Sequence, residues 1–166
     1  MVTRWVDAAS VLLTTFRFEV TFDRVAGAGP QRLGDGGFQE VTGLEVEMDV
    51  VDLEEGGRND AVTRRIGRAK FQPLICKRGM LGPDGGDAEP ELWQWFQDIV
   101  SGVRPVRRYD GSVRVQDQAG NTTAVWRFFR AVPTKIVGPQ LNAKSGEVAI
   151  EELHLAHEGL QLEGTT

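Results

Sequence analysis

Two histidines, His154 and His157, are the only ones in the chain, and three residues apart on a helix they could share a metal. The surrounding Val148, Ile150, Leu153, Leu155, Leu160 and Leu162 fit strands at least as well, and on a strand that spacing sends the two rings to opposite faces. Gly138-Pro139-Gln140-Leu141-Asn142-Ala143-Lys144-Ser145 is one residue from a phosphate-binding loop. Ala143 stands where a glycine would let the backbone wrap a phosphate, and Pro139 removes an amide donor. Asp84-Gly85-Gly86-Asp87 has the composition of a calcium loop without its alternating acid spacing. Cys76 beside Lys77 and Arg78 could be acidified, but no motif brings a base to it, so a strand cysteine is expected. Arg104, Arg107, Arg108 and Arg114 around Tyr109 have the types of a nucleic-acid face, yet read more simply as a solvated hairpin. No serine sits in Gly-x-Ser-x-Gly. These patterns point away from catalysis, and no cofactor or metal is expected.

Composition agrees. With 166 residues the chain suffices for one domain; 40% hydrophobic and 26% charged residues exclude wholesale disorder. The net charge of −5 argues against a dedicated nucleic-acid binder, and one cysteine cannot build a disulfide framework. No apolar run reaches the roughly 20 residues of a membrane-spanning helix. Asp7 and Ser10 interrupt the short apolar stretch at the start, so no signal peptide or membrane insertion is expected and the protein reads as cytoplasmic when made.

The elements that must position these residues are mostly strands. Thr15–Asp23 alternates without a fault, Phe16, Phe18, Val20 and Phe22 against polar neighbours. A Gly/Pro-rich stretch, Val25–Gly37, follows. Phe38–Leu53 alternates again, with Leu44, Val46, Met48 and Val50 on one face, and Arg68–Arg78 reads as a strand marked by Pro73. Between them Glu54, Glu55, Gly56, Gly57, Arg58, Asn59 and Asp60 compose a hairpin tip. A helix is predicted over about 89–101, with Leu92, Trp93, Trp95, Phe96, Ile99 and Val100 on one packing arc and Pro90 and Gly102 at its ends. Strands are then expected at Val103–Tyr109, Ser112–Asp117, Thr122–Val132, Thr134–Val137 and Glu147–Leu162, with turns at Asp110-Gly111 and Ala119-Gly120-Asn121. The fold class is therefore mainly β with one amphipathic helix, in a single domain spanning 1–166: an N-terminal extension over 1–14, a core over 15–162 and a tail over 163–166. Acids dominate residues 40–60, while Arg64, Arg65, Arg68, Lys70, Lys77 and Arg78 make residues 62–80 basic; such blocks can pair within the fold or between copies.

Longer phrases carry a resemblance. Gly37-Phe38-Gln39-Glu40-Val41-Thr42-Gly43-Leu44, Glu55-Gly56-Gly57-Arg58-Asn59-Asp60, Lys77-Arg78-Gly79 and Leu92-Trp93-x-Trp95 are similar to the inner tail-tube proteins of contractile phage tails and extracellular contractile injection systems. Trp126-x-Phe128-x-x-Ala131-x-Pro133-x-Lys135, Gly138-Pro139-x-Leu141-Asn142-Ala143 and Val148-Ala149-Ile150-Glu151-x-Leu153-x-Leu155-x-His157-Glu158-Gly159-Leu160 continue it.

That resemblance, related also to the tube of type VI secretion, implies a small β-barrel or sandwich of two packed antiparallel sheets with one helix. It implies a structural subunit, not an enzyme, whose hexameric rings stack into a hollow inner tube. The implied partners are further copies of the chain, a contractile sheath, baseplate, spike and tape-measure proteins, and effector cargo or DNA in the lumen. The subunit would leave the cytoplasm as part of a phage-tail-like particle. Glu54–Asp60, with Arg64 and Arg65 of the basic block, is the expected contact between rings. The long Arg24–Gly36 stretch and residues 1–14 depart from the family pattern, leaving open a paralogue at the baseplate end; a monomeric ligand-binding barrel is the other class.

Overall fold

The computed structural model describes residues 14–15, 17–25, 33, 37–53, 56, 62–80 and 90–164. Among these, nine strands and one helix follow in the order β1 (Phe18–Arg24), β2 (Phe38–Thr42), β3 (Val46–Leu53), β4 (Thr63–Phe71), β5 (Leu74–Gly79), α1 (Glu91–Val100), β6 (Tyr109–Gln116), β7 (Thr122–Val137), β8 (Ile150–Ala156) and β9 (Gly159–Glu163). All pairings are antiparallel. One sheet runs β1-β6-β7-β8-β5-β2 with β9 added to β7, and β3-β4 form a second, two-stranded sheet.

The larger sheet bends because β7 serves two neighbourhoods. Val125–Phe129 lie between β6 and β9, whereas Val132–Val137 pair with β8. The change occurs at Arg130, whose φ of +53° is left-handed, a conformation costing a side-chain-bearing residue about 1–2 kcal/mol. Asp110 Oδ1 accepts the Arg130 backbone N–H at 2.8 Å, and Arg130 Nε donates to Glu158 at 2.8 Å, fixing the bulge.

The two leaves created by this bend enclose the core. β1, β6 and the first half of β7 contribute Val20, Phe22, Tyr109, Val113 and Phe128; β5 and β8 contribute Leu74, Cys76, Leu153 and Leu155. Phe22 is central, meeting Phe38, Trp95 and Phe128 edge-on at 6.1, 6.4 and 5.7 Å. The Phe22–Phe38 contact brings the end strands β1 and β2 together without a hydrogen-bonded ladder, so the sheet is open and the barrel is not closed.

Local chemistry sets the element boundaries. Helix α1 starts after Pro90 and ends before Gly102, whose φ of +86° breaks the helical path. Its Leu92 and Trp95 are buried, and Trp93, Phe96 and Ile99 are half-buried. Val100, on the same predicted arc, is 72% exposed in the helix's last turn.

Other boundaries differ from the alternation in the sequence. Phe38–Leu53 is two strands of different sheets, because Gly43 turns the chain at φ +89° where a Cβ would lie 2.0 Å from the Pro73 carbonyl oxygen. Arg68–Arg78 likewise divides into β4 and β5 at Gln72-Pro73. Asp110-Gly111 lies inside β6 and makes no turn; Gly111 is needed because a Cβ there would meet the Phe128 ring at 2.2 Å. Residues 103–108 form a loop before β6, while 122–137 is a single long strand.

Among the described residues, one ion pair is fully buried. Arg78 on β5 and Glu151 on β8 are register partners, each side chain 2% exposed, and Arg78 Nε donates to Glu151 Oε1. The other carboxylate oxygen accepts Trp93 Nε1–H at 3.0 Å, and the Arg78 guanidinium lies over Phe38, 5.9 Å from its centroid.

Breaking that pair from one side leaves a buried charge, so Arg78→Met or Glu151→Met alone should each destabilise the fold by about 3–5 kcal/mol in urea unfolding. The double replacement should recover most of the loss; equal destabilisation by all three variants would contradict this account. At the bulge, Arg130→Gly should exceed Arg130→Ala in stability by about 1 kcal/mol, since both lose the Glu158 pair and only glycine relieves the left-handed backbone.

Candidate assembly interface

The β3–β4 hairpin leaves the body at two adjoining points. At one root Glu45 N–H donates to the Gly43 carbonyl at 2.7 Å, and at the other Gln72 N–H donates to the Glu45 carbonyl at 3.3 Å. Phe71 closes the base against His157, 5.5 Å between ring centroids.

Cross-strand pairing gives the hairpin an apolar face. Val46 faces Phe71, Met48 faces Ala69 and Val50 faces Ile66 across the ladder. Val46, Met48, Val50 and Ile66 are between 51% and 75% exposed. A two-stranded ribbon has no second layer of its own, so the face that alternation marks for burial is left to solvent. Covering these four side chains would yield several kcal/mol.

The hairpin's charges are arranged differently. Asp49 pairs with Lys70 at 2.6 Å and Asp52 with Arg64 at 3.3 Å, while Gly67 lets the strands approach, a Cβ there lying 3.1 Å from Asp49 Cβ. The Asp49 hydrogen bond and charge raise the Lys70 pKa above its ordinary value. Arg65 stands opposite Val51 and is exposed. Of the expected inter-ring residues, Gly56 lies in a turn with open space around it. Glu54, Glu55, Gly57, Arg58, Asn59 and Asp60 lie outside the described residues, as does the Asp84-Gly-Gly-Asp87 loop.

The residues with reactive side chains are dispersed. His154 bonds Glu152 on the β8 surface, and this hydrogen bond, with the His154 charge, lowers the Glu152 carboxyl below its usual range. His157 instead packs at the hairpin base, its ring nitrogens contacting the Gly159 and Gln72 carbonyl oxygens at 2.9 and 3.0 Å. Gly138–Ser145 leads into a strand and not a helix, and Asn142 folds it locally by accepting the Lys144 N–H at 3.0 Å. Cys76 is fully buried, and burial pushes its thiol from 9.0 up to about 12, opposite to activation by Lys77 or Arg78.

Arginines 104, 107 and 108 occupy the loop after α1, not a hairpin, and there they join Arg24 and Arg130 around a groove of about 610 Å³. Arg114 is elsewhere, exposed on β6, and Tyr109 is buried against Trp95 at 4.7 Å. The exposed apolar face and this groove were not evident as sites in the sequence. Alternation marked the first as covered without saying by what, and the second gathers residues from three separate segments.

Among the described residues, the chain is an open antiparallel β fold with one helix, and its prominent surface feature is an uncovered two-stranded ribbon. The chain belongs to the T4-like virus tail tube protein gp19 family, which it matches over residues 14–161. In structure it is similar to a chain of the six-fold-symmetrised baseplate of the anti-feeding prophage (AFP), with 21% identity, 93% of this chain and 97% of that chain covered, and a TM-score of 0.76. A chain of the sheath–tube complex of an extracellular contractile injection system, PVC, in its extended state is 20% identical over 95% of each chain, with a TM-score of 0.75. A chain of the AFP tube-terminating cap is 21% identical over 99% of each, with a TM-score of 0.77. No curated protein matches it. Among the described residues, no helix is long and apolar enough to cross a membrane.

Cys76 provides a direct check on the burial of the core. The native protein should resist a thiol reagent such as Ellman's until denatured. The unfolded thiol ionises near 9.0 and the folded one near 12, so stability should fall as pH rises through that interval. A Cys76→Ala variant should lose this part of the decline. Rapid labelling of native protein would show that the two leaves do not seal the core.

Proposed function

We propose that this chain is a structural, non-catalytic subunit of the inner tube of a contractile injection system or phage tail. Copies close into hexameric rings, and rings stack into a hollow tube through which cargo or DNA passes. The observation that carries this reading is the apolar face of the β3–β4 hairpin, Val46, Met48, Val50 and Ile66, which no other part of the described chain covers. A contact between two different surfaces propagates by rotation into rings and by translation into filaments. A ribbon on one copy seated against the sheet of the next is such a contact. Membership of a tail tube family and similarity to chains of the six-fold AFP baseplate and the PVC sheath–tube complex support the same reading.

The sheath then lies outside the tube, baseplate and spike proteins at one end, and the tape-measure protein or effector within. The stretch Glu54–Asp60, which follows β3 in the chain, contacts the adjoining ring.

Purified protein should form six-fold rings or tubes by negative-stain microscopy and elute well above 18.3 kDa. Val50→Asp with Ile66→Asp should abolish assembly while preserving the β circular dichroism spectrum, because both positions are exposed in the free chain. Deletion of Glu55–Asn59 should leave single rings or monomers that no longer stack. A monomer across concentration and salt series, or normal long tubes from the deletion, would overturn the respective claims.

A further inference from the structure

The groove beside the β7 bulge concentrates positive charge on a chain whose net charge is −5. It is lined by Arg24, Arg104, Arg107, Arg108 and Arg130, with apolar walls that include Val103 and Val106. Two carboxylates pair with these five guanidinium groups. Asp98 pairs with Arg107. Glu158 is shared by Arg108 at 3.2 Å and Arg130 at 2.8 Å, and Asp110 is engaged by the Arg130 backbone N–H. Arg104 reaches only the carbonyl of Val103, at 3.0 Å, and Arg24 Nε is buried without a hydrogen-bond partner. Among the described residues, neither Arg24 nor Arg104 has a carboxylate partner. A buried guanidinium N–H without an acceptor is unfavourable, and planar carboxylates are the acceptors that guanidinium forks fit best. The left-handed backbone at Arg130 adds to the arrangement, since it places this arginine on the groove at the cost of local strain.

We infer that this groove receives carboxylates from the acidic stretch Glu54–Asp60 of a second copy of the chain. The inference rests on the tube reading and supplies the receiving surface that reading lacks. Charge complementarity and reach identify the occupant. Glu54, Glu55 and Asp60 stand in this stretch against Arg58 alone. The eight residues of β3 span about 25 Å, so Leu53, the last described residue before this stretch, lies a full strand length from the hairpin root. The basic block of β4 is a poorer recipient. Its Arg64 and Lys70 already pair with Asp52 and Asp49 of their own hairpin. Arg65 and Arg68 lie on an open strand in water, where an ion pair contributes little.

Charge exchange tests this assignment, with circular dichroism confirming each variant's fold. At low salt, Arg24→Glu with Arg104→Glu, and separately Glu54→Arg with Glu55→Arg, should each reduce the stacked fraction at least tenfold. The chain carrying all four changes should return to within twofold of the unaltered protein, and Arg65→Glu with Arg68→Glu should stack normally. Normal stacking of the Arg24/Arg104 variant, or no recovery in the fourfold variant, would overturn the groove assignment. If Val50→Asp with Ile66→Asp still blocked assembly, the tube reading would survive that result. Should the unaltered protein stay monomeric throughout, the tube reading fails, and the groove is judged by NMR titration with a synthetic peptide of residues 51–61. Shifts at Arg24 and Arg104 that vanish in the Arg24/Arg104 variant support it. No shifts, or shifts with inorganic phosphate and none with peptide, overturn it.

Discussion

Two opposite charges withdrawn from water, Arg78 and Glu151, hold the sheet in register. Their pairing aligns β5 with β8, the strands through which the second leaf of the core is built. Trp93 ties α1 to the same carboxylate, and Phe38 brings β2 under the guanidinium. A slip of one residue would send the buried side chains of β8 outward and place Glu152 or His154 against the core. The desolvation cost makes such a pair a poor source of net stability compared with apolar residues of similar volume. Its contribution here is to penalise wrong registers, since in each of them one charge would be buried without the other.

With the body so fixed, the remaining features divide cleanly between inside and outside. The core is aromatic and sealed, centred on Phe22, and keeps Cys76 as an inert thiol. The hairpin joins the body at its roots, near Gly43 and Pro73 and through the Phe71–His157 contact, with two of its ion pairs closed within it and its apolar face uncovered. A ribbon whose ionic pairs are closed and whose hydrophobic face is open gains more from covering that face than from exchanging salt bridges. The groove has the opposite character: five arginines line it, and one of them, Arg24, holds a buried N–H without an acceptor. One exposed apolar ribbon and one cationic recess are two unlike surfaces, the kind of pair that head-to-tail contacts use.

Much of this was legible in the residues. The alternation of Phe18, Val20 and Phe22 marks β1, and Pro90 and Gly102 bracket α1, because helix ends have strong local chemistry. Asp110-Gly111 misled for a physical reason: glycine satisfies either a turn or a close packing contact, and here the Phe128 ring decided. The break at Gly43 was hidden because alternation continues across it, although the two halves belong to different sheets. The expected inter-ring stretch Glu54–Asp60 lies, except for Gly56, outside the described residues. The groove could not be read from the sequence: Arg104, Arg107 and Arg108 form a visible cluster, but Arg24 and Arg130 arrive through strand pairings that no local pattern encodes. Exposure of Val46, Met48 and Val50 was illegible for another reason, since a period of two reads the same whether the covering layer is the chain itself or a neighbour.

The strand order also governs how the protein emerges from the ribosome. β1 must wait for β6, and β8, which lies between β7 and β5, is next to last to be made. The core therefore closes only when translation is nearly finished, because long-range pairings dominate the sheet. The β3–β4 hairpin pairs neighbours in sequence and can form while most of the chain is still to come. Nascent chains thus display the exposed apolar ribbon well before their own core is closed. That timing makes the unfinished chain, more than the finished one, the species in need of chaperone protection.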